Sequence, residues 1–341
     1  MFKARQSEIL LTIAAVLFAS NGIASKLLLN DYISAWRLAQ VRSISTFFIL
    51  AAYIAWRAPK TLRLTKREIP RLAALGTIGI AAVNGAYFLA ISRMHVSIAL
   101  LIEFTAPVWI VLYLRYVRKK HVPNEMWVAL FLALLGLAFV AQVWKGLTLD
   151  GIGVLAALGA AFALAYFFLA GEGITANRDN QSVTMWGFGF AALAWSLLMP
   201  IWTFPFDIFT VSIPLGGALE GYNTSGWVLI LYVVLIGTVI PYLCVMNGLR
   251  NLSASTTSAF GMLEPIFAGA VAWVWFGESW TIIQLIGGVI VIAGIYMADR
   301  ARSAAQQYFR ELVFVRFTLL GKVLHSTINW HINKSSNVKL G

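Results

Sequence analysis

The chain has 341 residues, of which 60% are hydrophobic and only 12% charged, with a mean hydropathy of +0.79 and a formal net charge of +12. A soluble fold of this size carries roughly 25% charged residues to cover its surface, so a soluble enzyme or a pair of soluble domains is excluded. The positive balance does not mark a nucleic-acid binder, because the charges sit in particular loops and not over a surface.

The basic start, Met1 to Arg5, has the look of a signal n-region, but no small-x-small cleavage site is followed by a polar mature domain, so the first apolar run reads as a retained helix. Ten apolar runs follow one another, at about 8–28, 33–56, 71–92, 95–116, 125–143, 151–172, 183–204, 226–248, 254–276 and 280–298. Each is near the ~20 residues that span ~30 Å of hydrocarbon as helix. In lipid the backbone N–H and C=O groups must pair within the segment, which predicts helices. The alternating strands of a membrane barrel are not visible. The predicted fold is all-α and polytopic.

Lys and Arg in the short loops set the orientation. Lys3 and Arg5 precede the first run, and Arg57, Lys60, Arg63, Lys66, Arg67 and Arg71 lie about the second loop. Arg115, Arg118, Lys119 and Lys120 follow the fourth run; Arg178, Arg250, and Arg300 with Arg302 follow the sixth, eighth and tenth. The alternate loops are poor in positives: Arg93 with His95, then Lys145, then only Asp207 and Glu220 in the long 205–225 connection. This alternation predicts both termini on the cytoplasmic side of a cell inner membrane.

An internal repeat divides the chain. SIALLIEFTAPVWIVLYL (97–114) compares with STTSAFGMLEPIFAGAVA (255–272), and Ser97/Ser255, Pro107/Pro265 and Gly136/Gly294 all recur at a spacing of 158. Each half then holds five helices. Five is odd, so the second half enters the membrane from the opposite side and the repeat is inverted, an arrangement tied to alternating access around a midplane site. The expected boundaries are 1–144 and 145–300, with a cytoplasmic tail at 301–341.

Polar groups inside the runs are the candidate site, since a charge at a helix centre costs about 2.5–3.5 kcal/mol on insertion scales. Glu103 and Glu264 stand mid-run beside the repeated Pro107 and Pro265 (EFTAP, LEP). Each proline frees a carbonyl one turn back and acts as a structural hinge. A carboxyl there is placed to exchange a proton or meet a cationic group; the alternative is a carboxyl that only bonds a neighbouring helix. Asn21, Asn84, Tyr87, Tyr166, Trp186, Tyr242 and Asn247 are the remaining substrate-binding candidates, each of which could instead bridge helices. Arg37 is near enough to a helix end to snorkel. Arg42 lies deeper and needs a partner, and an anion site and a structural ion pair both stay open. With one cysteine (Cys244) and scattered histidines (His95, His121, His325, His331), no disulfide framework or metal set is expected. No cofactor is expected, and no GxGxxG or Walker loop occurs for ATP.

The Pro-centred pair of runs, the basic loops and the five-plus-five plan resemble the drug/metabolite transporter superfamily, EamA type. ALLIEFTAPV (99–108), GAAFALAYFFLAGE (159–172), GTVIPYL (237–243) and SAFGMLEPIFAGAVAWVWFGESWTIIQLIGGVIVIAG (258–294) carry the resemblance over about 8–300. IEFTAP and LAYFFLAGE look most like the threonine/homoserine exporter branch. The resemblance implies amino-acid or similar metabolite efflux by proton exchange, through a cavity formed by spans one, three, four, six, eight and nine. It also places Glu103 and Glu264 at motif positions. The partners it implies are a small-molecule substrate, protons and the bilayer.

The live rival is a facilitator or nucleotide-sugar-type exchanger, which would use the same plan. Two others are weaker. A non-transporting scaffold would leave mid-membrane carboxyls unexplained, and a lipid-headgroup transferase would need a DxxxD or His-rich loop that is absent. The segment 304–341, with LVFVRFTLL, is too short and too charged to cross; it reads as an interfacial basic segment or a disordered tail.

Overall fold

In the computed structural model the described residues are 2–29, 32–146, 149–277 and 281–301. The expectation of a cytoplasmic tail at 301–341 therefore falls, past its first residue, outside the described residues. Among the described residues nine helices are long and apolar enough to cross a membrane. They are α1 (Lys3–Leu29), α2 (Ala35–Arg57), α3 (Ile69–Ile91), α4 (Val96–Val117), α5 (Asn124–Ala141) and α6 (Gly151–Thr175), then, after an intervening helix, α8 (Gly226–Asn251), α9 (Ala254–Trp275) and α10 (Ile282–Ala301).

The intervening helix is α7 (Asn180–Leu198). It is less apolar than the others but, at 19 residues and 1.5 Å per residue, about 28 Å long. Its polarity is affordable because the bundle covers it. Ser182 and Thr184 are fully buried, and Gly187 and Gly189 let it lie against Gly76 of α3 and the Phe47 ring of α2. The expected seventh run, 183–204, is corrected here. The helix stops at Leu198 because Pro200 cannot continue it, and residues 201–209 form two single 3₁₀ turns.

The 199–225 connection also holds a small antiparallel hairpin of β1 (Ser212–Gly216) and β2 (Leu219–Ser225). Gly216 and Gly217 both have positive φ, as its tight turn requires. The hairpin sits on the end of α9: the Ala218 N–H donates to the Trp275 carbonyl at 2.6 Å.

The repeat read from three identities is a structural repeat. Helix α4 breaks at Phe104–Thr105, and α9 breaks 158 residues later at Met262–Leu263. The tight turns match in register: Thr105 N–H donates to Ile102 O and Leu263 N–H to Phe260 O, at 3.0 and 3.1 Å. Helices α3 and α8 each carry a widened π turn, Leu75–Ala82 and Leu235–Val239, at Gly79 and Gly237, again 158 apart. Each glycine lets an antiparallel partner close in, Gly79 facing the backbone and side chain of Phe167 of α6 and Gly237 the side chain of Asn21 of α1. The pairs α1/α8 and α6/α3 are thus one contact made twice, with the two halves exchanging roles.

Small residues set how closely the outer pair packs. A Cβ on Gly136 of α5 would come 2.6 Å from Gly287 O of α10 and 2.7 Å from Val291 N, and one on Gly294 would come 2.8 Å from both Ala129 O and Ala133 N. These are backbone atoms that cannot swing aside. Just before α3, Glu68 closes a polar turn with Thr65. The Thr65 N–H and hydroxyl both donate to Glu68 Oε2 at 2.8 Å, and Arg178 donates to Oε1 at 2.7 Å. Arg178 also reaches the Thr61 carbonyl, which ties the loop after α2 to the start of α7.

Two outcomes follow. Gly136→Ala lowers the stability of the detergent-purified protein by about 1–3 kcal/mol through overpacking, read from thermal unfolding, whereas Gly173→Ala, whose Cβ would meet nothing within 4 Å, does not. The Thr65 N–H, the Thr65 hydroxyl and the Arg178 guanidinium hold the Glu68 carboxyl down to about 2, below the ordinary 4.5. A depressed carboxyl contributes stability above its unfolded value and loses it as pH falls toward its folded one. The unfolding midpoint of Glu68→Gln should therefore lie below wild type at neutral pH, and the gap should narrow progressively from about pH 5 and close only near about pH 1.

Candidate functional site

The π turns of α3 and α8 and the breaks of α4 and α9 surround one cavity of about 260 Å³, near the lower end of small-molecule sites, which run roughly 300–1,000 Å³. Six of the nine predicted binding residues line it: Asn21, Asn84, Tyr87, Glu103, Tyr242 and Glu264. Each arrives there for a local reason. Pro107 has no N–H, so the chain turns at Phe104–Thr105 and Glu103 ends the first half of α4. Pro265 stands at the start of the second half of α9 and leaves Glu264 as its first residue. Asn84 follows the π turn of α3, and its side-chain amide donates to the Ile80 carbonyl at 2.8 Å, beside the Val83 N–H that the same oxygen accepts. Tyr242 is wedged edge-on among Phe18, Phe167 and Phe188, with ring centroids 5.5, 5.9 and 4.8 Å away.

Neither Glu103 nor Glu264 makes a hydrogen bond or an ion pair with any described residue; the one ion pair within 4.0 Å among the described residues is Arg178–Glu68. The carboxyls lie within electrostatic reach of each other, and Glu264 also within reach of Arg42. The cavity thus holds two acidic groups with open valences and one guanidinium.

Arg42 is the charged group that sequence reasoning left undecided and outside the candidate set. Its Nε donates to Thr238 Oγ1 at 2.8 Å and its Nη2 to the Gly237 carbonyl at 3.3 Å. Thr238 in turn donates to Val233 O, five residues back across the π turn, at 2.8 Å. Thr257 and Ser258 also line the cavity and were not singled out, although both fall within the STTSAF stretch that carries the repeat. The Thr257 hydroxyl is buried with no partner.

Three candidates lie elsewhere. Tyr166 lines a separate groove between α4 and α6 with Trp109 and Arg118. Trp186 packs against Phe47 and Phe190, its indole N–H buried without a partner. Asn247 belongs to a knot with Ser7 and Asn251 that joins α1 to α8. Of the two hinges, Pro107 lines the main cavity, while Pro265 lines a smaller one of about 180 Å³ with Gln284, on the far side of Leu100. Arg37 bonds Gln40, Thr203 and the carbonyls of Met199 and Pro200, so it anchors the end of α7.

Residues 6–142 and 151–298 each match the EamA-like transporter family. The chain is 27% identical over 268 residues to the threonine/homoserine exporter RhtA of Escherichia coli K12, covering 77% of this chain and 80% of that protein. It is 26% identical over 231 residues to the uncharacterized transporter YdfC of Bacillus subtilis (67% and 71% covered). It is 23% identical over 296 residues to an uncharacterized transporter of Archaeoglobus fulgidus (87% and 97% covered). A solved crystal structure superposes with a TM-score of 0.71 over 88% of this chain and 98% of its own, at 15% identity, and so shares the fold. The chain is a multi-pass membrane protein that belongs to the EamA-like transporter family.

Proposed function

We propose that this transporter exports amino acids or similar small metabolites in exchange for protons, through the cavity between its two repeats. The observation that carries this reading is the pair of carboxyls, Glu103 and Glu264, that face the cavity from the two broken helices with no partner of their own. An intramembrane carboxyl is costly and is kept where it does work. A group that alternately takes a proton and a cationic ligand couples the two movements, because each excludes the other. Amino-acid cargo is favoured by the likeness to exporters named for threonine and homoserine.

Asn21, Asn84, Tyr87 and Tyr242 supply uncharged donors and acceptors around the ligand, and Thr257 a hydroxyl that nothing else occupies. The hinges are the breaks beside Pro107 and Pro265, and the moving bodies are the repeats, taken as 1–144 and 145–300. Tyr166, Trp186 and Asn247 are left out of the proposed site, since each sits in another contact. The basic loops support an orientation in the inner membrane with both termini in the cytoplasm.

Glu103→Gln keeps the shape and removes the exchangeable proton. In proteoliposomes, pH-gradient-driven efflux of threonine should fall at least about a hundredfold, the scale of losing a group on which coupling depends, while expression and thermal unfolding stay near wild type. Undiminished pH-driven flux would contradict the reading.

A further inference from the structure

The cavity's guanidinium is held in a way that a purely structural arginine does not need. Arg42 comes from α2 in the first repeat and docks on the π turn of α8 in the second. Both bonds run along one edge of its fork. The Gly237 carbonyl is within reach because the α8 backbone closes on α1 at this glycine, where a Cβ would collide with the Asn21 side chain. The Thr238 hydroxyl has its own hydrogen committed to Val233 O, so its oxygen is fixed as an acceptor. The guanidinium is therefore oriented, and not merely neutralised.

No carboxylate touches it. Glu264 is near enough to interact electrostatically, yet the two form no ion pair within 4.0 Å. Nη1 donates to no described group, and Arg42 lines the cavity. A planar fork with one edge clamped and the other open is the geometry that receives a carboxylate by two parallel bonds. The same cavity carries the two carboxyls, which suit an ammonium.

We infer that Arg42 is the anion anchor of this cavity, so that the ligand is a small zwitterion whose carboxylate docks on Arg42 and whose ammonium faces Glu103 and Glu264. The inference rests on the cavity being the transport site, and it makes a free carboxylate the condition for recognition. The π turn then has a specific use: it presents a carbonyl and a fixed hydroxyl to aim the arginine. The ammonium meets the carboxyls and the carboxylate the guanidinium, so amines alone and acids alone are each half-bound.

The test is binding, read separately from flux. Thermal unfolding of the full-length purified protein is measured with each of the twenty common L-amino acids, then with the primary amide of every acid that stabilises it. The inference expects stabilisation by one or more acids and none by the matching amides. It expects Arg42→Lys, which keeps the charge but loses the fork, to bind the acid at least about tenfold more weakly. Thr238→Val, which leaves Arg42 in place but releases its clamp, should weaken binding in the same direction without a comparable loss of unfolding temperature in the absence of ligand. Equal stabilisation by acid and amide, stabilisation by none of the acids, or wild-type affinity in both variants would each overturn it. Acid–amide discrimination that persists in Glu103→Gln while pH-driven flux is intact there would overturn the proton-coupling reading and leave the anchor standing.

Discussion

Backbone hydrogen bonds in hydrocarbon have no water to fall back on, so a helix can open its ladder only where something else meets the freed groups. That constraint organises this protein. Its bundle opens at four places around one cavity: the π turns of α3 and α8 and the breaks of α4 and α9. Side chains add donors to carbonyls at these openings. Asn84 donates to Ile80 O, Thr238 to Val233 O, Arg42 to Gly237 O and Thr105 to Ile102 O. The polar residues that secure the irregular backbone are in large part those that line the cavity. Stability and site chemistry are therefore drawn from one set of contacts.

The scaffold is two-fold, but its chemistry is not. Turns, breaks and glycine contacts repeat at 158 residues. The groups facing the cavity do not: Glu103 corresponds to Gly261, Glu264 to Ala106, Asn84 to Tyr242 and Tyr87 to Val245. The matching turns and breaks are the symmetry expected of an inverted repeat. The side chains facing the enclosed space break that symmetry, with one guanidinium and two carboxyls among them.

Much of this was legible in the residues because lipid makes certain choices expensive. Spans, basic loops and the two glutamates stand out against a cost of several kcal/mol. The 158-residue spacing, seen first in a few identities, proves to be the register of both helix breaks. What stayed hidden was which face of each helix looks inward. A membrane helix is apolar all round, so no hydrophobic stripe marks its packed side; Tyr166, Trp186 and Asn247 are intramembrane polar residues of the same kind as Tyr87 and Tyr242 but meet other neighbours. Arg42 could not be assigned because its partners are a carbonyl and a hydroxyl that only a π turn exposes, and nothing in LIGTV announces such a turn. The seventh span was drawn too long because its apolar run continues through Met199 and Pro200, where the helix itself cannot.

The central claim is that one cavity is reached in turn from the two sides of the membrane. Ser258 lines that cavity, and with the buried Cys244 replaced by serine, Ser258→Cys becomes a unique reporter. Labelling with a membrane-impermeant thiol reagent, applied to oriented vesicles from one face and then the other, measures access directly. The account predicts labelling from both faces, with a pH gradient or an amino-acid ligand shifting the ratio between them. Labelling confined to one face under every condition would contradict it.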